Sequence, residues 1–191
     1  LVIKEPVAIL TLSSTNPHSG IVGFQFSTIQ ISNSGGEVVS WSIHPPLPNG
    51  LSLSGVNSSV YGTPNVNQTL TSHTLWANNS GGNVSILIDI QILHPLDPIG
   101  YPILHLELVN GLQVGLPISP NQSGSGVHTW TIEPSLSPGL TFNTSTGVIG
   151  GIPSSPQDNR THIVQAWNDA GFVNTSLTVW VKHVAPDGID Y

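Results

Sequence analysis

Residues Trp41 to Pro64 read WSIHPPLPNGLSLSGVNSSVYGTP, and 89 residues later Trp130 to Pro153 read WTIEPSLSPGLTFNTSTGVIGGIP, with no gap needed to align the two. Trp41 falls on Trp130, Ile43 on Ile132, Pro45 on Pro134, Gly50-Leu51 on Gly139-Leu140, and Gly62 and Pro64 on Gly151 and Pro153. The register persists further on, where His73, Leu75, Ala77, Asn79 and Gly82 meet His162, Val164, Ala166, Asn168 and Gly171. So many identities in one register mark an internal duplication, and a period of this length changes how every motif inside it is read. Upstream of Ile29 and Ile118 the correspondence loosens, as expected where loops differ in length.

The repeat sets the expected domain organisation. Repeat 1 covers residues 5–95 and repeat 2 residues 96–186, with the boundary near Pro95-Leu96. Leu1-Val2-Ile3-Lys4 aligns with Ile90-Gln91-Ile92-Leu93 and with Val179-Trp180-Val181-Lys182, the last strands of the repeats. Residues 1–4 are therefore expected to be the closing strand of a preceding repeat, or a strand donated to another subunit. Residues 187–191 read as a linker into a following repeat, so the chain is expected to be an excerpt from a longer array.

Within each repeat the apolar residues alternate, which is the signature of half-buried strands. Ile86, Ile88, Ile90 and Ile92 share one face, as do Leu177, Val179 and Val181 in the second copy. His73-Leu75-Ala77 and His162-Val164-Ala166 form the inward face of the preceding strand, with Gly81-Gly82 and Ala170-Gly171 as the hairpin turns. Several short strands punctuated by turns within about 90 residues describe a two-sheet sandwich. Trp41 and Trp130 alternate with Ile43 and Ile132 and are expected to anchor the two cores.

An aromatic strand, then P-x-L-x-x-G-L, then T-G-x-I-x-G-x-P, then a strand ending A-x-N-x-x-G resembles the immunoglobulin-like repeats of bacterial and archaeal surface proteins, a family similar to cadherin-like domains of dystroglycan type. The second copy carries Pro134, Leu136, Gly139-Leu140, Thr146-Gly147, Ile149, Gly151, Pro153, Ala166, Asn168 and Gly171. The first departs at Ser58-Ser59, where the Thr-Gly turn is missing. The resemblance implies an all-β chain of two tandem immunoglobulin-like/cadherin-like β-sandwich domains at the cell surface, and says more about architecture than about activity.

Composition narrows the function classes. Of 191 residues only 7% are charged, with three Lys+Arg against ten Asp+Glu, so the basic surface that nucleic acid requires is missing. Soluble domains ordinarily keep about a quarter to a third of their surface charged, so something else must cover this one. There are no cysteines, which excludes disulfides, thiolate metal sites and a cysteine nucleophile. No run approaches the roughly 18 apolar residues of a membrane span.

Asn-x-Ser/Thr occurs at eight positions: Asn57, Asn67, Asn78, Asn83, Asn121, Asn143, Asn159 and Asn174. This composition would yield about three by chance. Asn83 and Asn174 have the outward parity of their strands, and the other six fall in expected loops or at strand margins. Glycans there would supply the missing surface polarity and imply an extracellular location.

Other chemistry finds little support. His18, His44, His73, His94, His105, His128, His162 and His183 are scattered without metal-ligand spacing, and His73 and His162 read as structural. Cadherin-like calcium binding would draw on Glu5, Asp97, Asp187 and Asp190 near the junctions, but no Asp-x-Asp cluster accompanies them, and solvated linker carboxylates are the favoured reading. Gly124-Ser125-Gly126 is turn chemistry, and no carboxylates pair for glycoside hydrolysis. Trp76, Trp167 and Trp180 carry outward parity and are open to two readings, contact with a sugar or a subunit, or packing under a loop. The expected function is non-enzymatic: a structural or adhesive array, surface layer or filament whose partners are further copies of itself or neighbouring repeats. The alternatives are a glycan-binding module recognising surface glycans and a non-catalytic appendage of a large exported enzyme.

Overall fold

The computed structural model describes residues 4–113, 117–121 and 126–183. The expected strand at residues 1–4 lies outside them except for Lys4, which is exposed and belongs to no strand. The linker at 187–191, with Asp187 and Asp190, and Gly124-Ser125 also lie outside. Every regular element among the described residues is a strand, and the chain divides into two compact units with the break between His94 and Pro95.

In the first unit the strands are β1 (Leu10–Leu12), β2 (His18–Ile21), β3 (Ile29–Asn33), β4 (Ser40–His44), β5 (Leu51–Ser54), β6 (Ser59–Gly62), β7 (Gln68–Asn79) and β8 (Gly82–Leu93). They form two four-stranded sheets, ordered β1-β3-β6-β5 and β2-β8-β7-β4. The first has the order of the ABED sheet of an immunoglobulin domain, and β4, β7 and β8 that of its CFG sheet, which puts Trp41 on the strand where that fold keeps its tryptophan. The opening segment leaves the first sheet after β1 and joins the second as β2, running parallel to β8.

The second unit repeats the plan with β9 (His105–Val109), β10 (Thr129–Glu133), β11 (Leu140–Phe142), β12 (Ile149–Gly151), β13 (Gln157–Asn168) and β14 (Gly171–Lys182). One sheet is ordered β10-β13-β14-β9, with β9 parallel to β14. The facing layer is the β11–β12 pair, extended by a bridge between Ile118 and Ile149. Each core lies between its layers: Ile29, Ile31, Val60, Leu75, Ile88 and Ile90 in the first unit, and Trp130, Ile149, Val164, Leu177 and Val179 in the second.

The motifs acquire a physical basis here. Leu51 pairs with Gly62 and Leu140 with Gly151, so the Gly-Leu and Gly-x-Pro motifs are two halves of one contact. A Cβ on Gly50 would lie 2.1 Å from the Thr63 carbonyl oxygen, and one on Gly62 2.2 Å from that of Gly50. Gly139 and Gly151 meet the same way, with 2.0 Å to the Ile152 oxygen and 2.4 Å to the Gly139 oxygen. Only a hydrogen fits between these backbones, which is why both motifs keep glycine. The Asn of A-x-N-x-x-G closes the hairpin: Asn79 Oδ1 accepts hydrogen bonds from the Gly81 and Gly82 amides, and Asn168 Oδ1 from that of Ala170. The turns proper are Ser80-Gly81 and Asp169-Ala170, because Gly82 and Gly171 already belong to β8 and β14.

The closing strands are not edge strands: β8 lies between β7 and β2, and β14 between β13 and β9. Where β2 stops, the Asn16 side chain takes over, donating from Nδ2 to the Leu87 carbonyl (3.0 Å) and accepting the Asp89 amide at Oδ1 (3.1 Å). These groups would otherwise form an open edge.

One expectation needs correction, that for the paired tryptophans. Trp130 is 1% exposed, whereas Trp41 is only partly buried at the margin of its core. In the second unit a turn is laid against the indole. A Cβ on Gly147 would sit 2.8 Å from Trp130, so that turn rests on the ring with its backbone, and Tyr101 donates its hydroxyl to the Gly147 carbonyl. In the first unit the equivalent residue is Ser58, left-handed at φ 46° like Gly147 at φ 70° but carrying a side chain. The first-unit residue whose added Cβ would meet Trp41 is instead Gly55, at 3.4 Å. Ser58→Gly is expected to stabilise the first unit by roughly 0.5–1 kcal/mol, because left-handed strain outweighs the added chain entropy. Gly147→Ala should cost the second unit about 2–4 kcal/mol through strain and overpacking. Urea unfolding resolved by hydrogen exchange in each unit measures both, and equal effects in the two units would contradict this account of the turn.

Candidate functional site

The long hairpins β7–β8 and β13–β14 bury one face and expose the other, and the candidate residues divide accordingly. On the inner face His73 and His162 are fully buried. Their Nδ1 atoms donate to the carbonyls of Pro45 (2.8 Å) and Pro134 (2.6 Å). A carbonyl only accepts, so each ring carries a proton on Nδ1. In the first unit Nε2 lies 3.1 Å from the Gln68 amide nitrogen. The equivalent Gln157 Nε2 and His162 Nε2 are buried without a hydrogen-bond partner among the described residues. These are structural histidines that tie β7 and β13 to the segments following β4 and β10. The glutamine was missed in the sequence although Gln68 and Gln157 also fall 89 residues apart.

The remaining polar candidates do not converge. His44, His94, His105, His128 and His183 are exposed. His105 lies 3.5 Å from Glu107, and His128 3.2 Å from Asp169. Partly buried His18 is held below its ordinary pKa by desolvation, with the Asp89 charge working against the shift. Burial pushes the Tyr101 phenol well above its usual value. Glu5 and Asp97 are exposed, and no group of three or more His, Asp or Glu assembles among the described residues.

The outer faces hold the aromatic residues and the acceptor asparagines. Asn57, Asn67, Asn83, Asn121, Asn143, Asn159 and Asn174 are exposed and Asn78 is partly buried, so all eight reach the surface. Asn78 and Asn159 lie within β7 and β13, and Asn78 is the direct cross-strand partner of Asn83. Asn143 spends its side-chain oxygen on its own turn, accepting from the Ser145 and Thr146 amides.

Trp76, Trp167 and Trp180 are each partly buried on outward positions of their strands. Trp76 is flanked across the sheet by Ser42 and Ser85. Trp167 pairs with Phe172, the ring centroids 4.5 Å apart and the planes tilted by 34°. Trp180 has a ring face covered by the Lys182 ammonium at 4.3 Å. Lys182 also donates to Glu107 at 2.6 Å, and that bond, followed by the lysine's charge and then by His105, lowers the Glu107 pKa. Phe172, half exposed, escaped the sequence reading because its counterpart in the first repeat is Asn83.

No family model matches this chain, and no curated protein does. Solved structures do. Extracellular domains 3–5 of Drosophila OTK align over 93% of this chain and 60% of their own length, at 14% identity and a TM-score of 0.60. Immunoglobulin domains 1–4 of Sidekick-1 align over 93% of this chain and 50% of theirs, at 16% identity and 0.60. The four N-terminal Ig domains of Dscam1 isoform 9.44 align over 95% and 47%, at 13% identity and 0.52. The chain thus spans about half to three-fifths of these structures. At such identities the likeness is one of fold: both units are immunoglobulin-like β-sandwiches.

Two measurements test this assignment of residues. His162→Leu keeps the volume but leaves the Pro134 carbonyl without its donor, and should cost the second unit about 1–3 kcal/mol in denaturant unfolding. Chelation with EDTA should leave the melting temperature unchanged, and a shift of many degrees would restore the calcium reading.

Proposed function

We propose that this chain is a non-enzymatic, extracellular tandem of immunoglobulin-like modules that carries N-linked sugar and serves as a structural or adhesive part of a cell-surface array, layer or filament. The observation that carries the reading is the placement of the acceptor asparagines: eight sites in a charge-poor chain, none buried. Hydrated sugar supplies the surface polarity that charged residues supply elsewhere. Its partners in this reading are further copies of itself or neighbouring repeats. The motif resemblance to immunoglobulin-like repeats of bacterial and archaeal surface proteins, and through them to cadherin-like domains, supports the same role. Among the described residues no group of three or more His, Asp or Glu assembles, which favours scaffold over catalyst.

Glycopeptide mass spectrometry of native material is expected to find sugar on several of the eight, including the exposed strand sites Asn83 and Asn174. All eight unmodified would overturn the proposal.

A further inference from the structure

We propose that the outward aromatic residues of the two long hairpins are platforms for the protein's own N-linked sugar: Trp76 for a glycan on Asn78 or Asn83, and the Trp167–Phe172 pair for one on Asn174. This rests on the glycosylation reading above and goes beyond it, because it assigns the aromatic residues a ligand within the same molecule rather than an external sugar or subunit.

Trp76 pairs with Ser85 and Asn78 with Asn83, so the tryptophan and both acceptors occupy adjacent rows of one face. Side chains two apart along a strand are about 7 Å apart, and diagonal cross-strand neighbours about 7–8 Å. An N-linked pyranose begins at the end of the asparagine side chain, so its first ring falls within reach of a neighbour at that spacing. The C–H face of a pyranose is apolar and suits an indole face. Around Trp76 the row neighbours are Ser42 and Ser85, too short to cover the ring.

The second unit reaches the same adjacency by another route. Asn174 pairs with Gln165 and Phe172 with Trp167, again in adjacent rows of one outer face. By the 89-residue offset, the aromatic row here occupies the place of Asn78–Asn83, and Asn174 occupies the place of Ser85. Aromatic and acceptor rows have exchanged positions, so inherited position alone does not explain their adjacency. Trp180 stands outside the proposal because Lys182 already covers its ring. Asn78 and Asn83 oppose each other directly, and a single indole face takes one sugar, so only one of their glycans stacks at a time.

The test uses the full chain made with and without N-glycosylation, with glycopeptide mass spectrometry reporting occupancy at Asn78, Asn83 and Asn174. Phe172→Ser should lower the second unit's melting temperature by about 3–6 °C more in the glycosylated chain than in the bare one. That excess should vanish in an Asn174→Gln background. NMR should show nuclear Overhauser contacts between the first sugar and the Trp76 and Trp167 indoles in the unmutated protein, a readout that does not depend on how the variant folds. Occupied sites with equal melting shifts and no sugar–indole contacts would overturn this inference and leave the glycosylation reading standing. Unmodified Asn78, Asn83 and Asn174 would overturn the inference, and the remaining acceptors would then decide the broader reading.

Discussion

Alternation along a strand is the constraint on which both units depend. In β7 and β8, and again in β13 and β14, successive side chains point to opposite faces, so one register assigns every residue to core or surface. Leu75, Ala77, Ile88 and Ile90 then lie inside while Trp76, Asn78, Asn83 and Ser85 lie outside. A slip of one residue would bury the acceptor asparagines and expose the isoleucines. Hairpin closure by Asn79 and Asn168 holds that register at the turn, and the histidine bonds to Pro45 and Pro134 fix the middle of β7 and β13.

Much of this was legible in the sequence, for identifiable reasons. Strict alternation in Ile86-Ile88-Ile90-Ile92 and the duplicated glycine motifs are local signals with one structural solution, so the hairpins, the sandwich and the repeat could be read directly. What escaped were features set by distant contacts. Short β2 and β9 lie where the repeats lose register, and nothing local in either shows that it will run parallel to the closing strand. The different burial of Trp41 and Trp130 goes with the turn that packs on Trp130 at Gly147, where the first repeat has Ser58, a difference visible in the motif but without an evident consequence until the turn is packed.

The candidate site was half legible. Parity placed Asn83, Asn174 and the three tryptophans outward, and the other acceptors read as loop or strand-margin residues, but acceptors and tryptophans remained separate sets. Their juxtaposition depends on cross-strand pairing, which single-strand periodicity does not contain. Pairing also separates Trp180, covered by Lys182 and tied to Glu107, from Trp76 and Trp167.

In the proposed role sugar replaces charge on these surfaces, which also expose Leu87 and Phe172 on the hairpins. Static light scattering on the glycosylated chain and on the same chain made in a host without N-glycosylation tests it most directly. The account predicts that both forms are folded by circular dichroism, that the glycosylated form repels itself at moderate concentration, and that the bare form attracts itself and associates. Equal, repulsive behaviour of the two forms would contradict it.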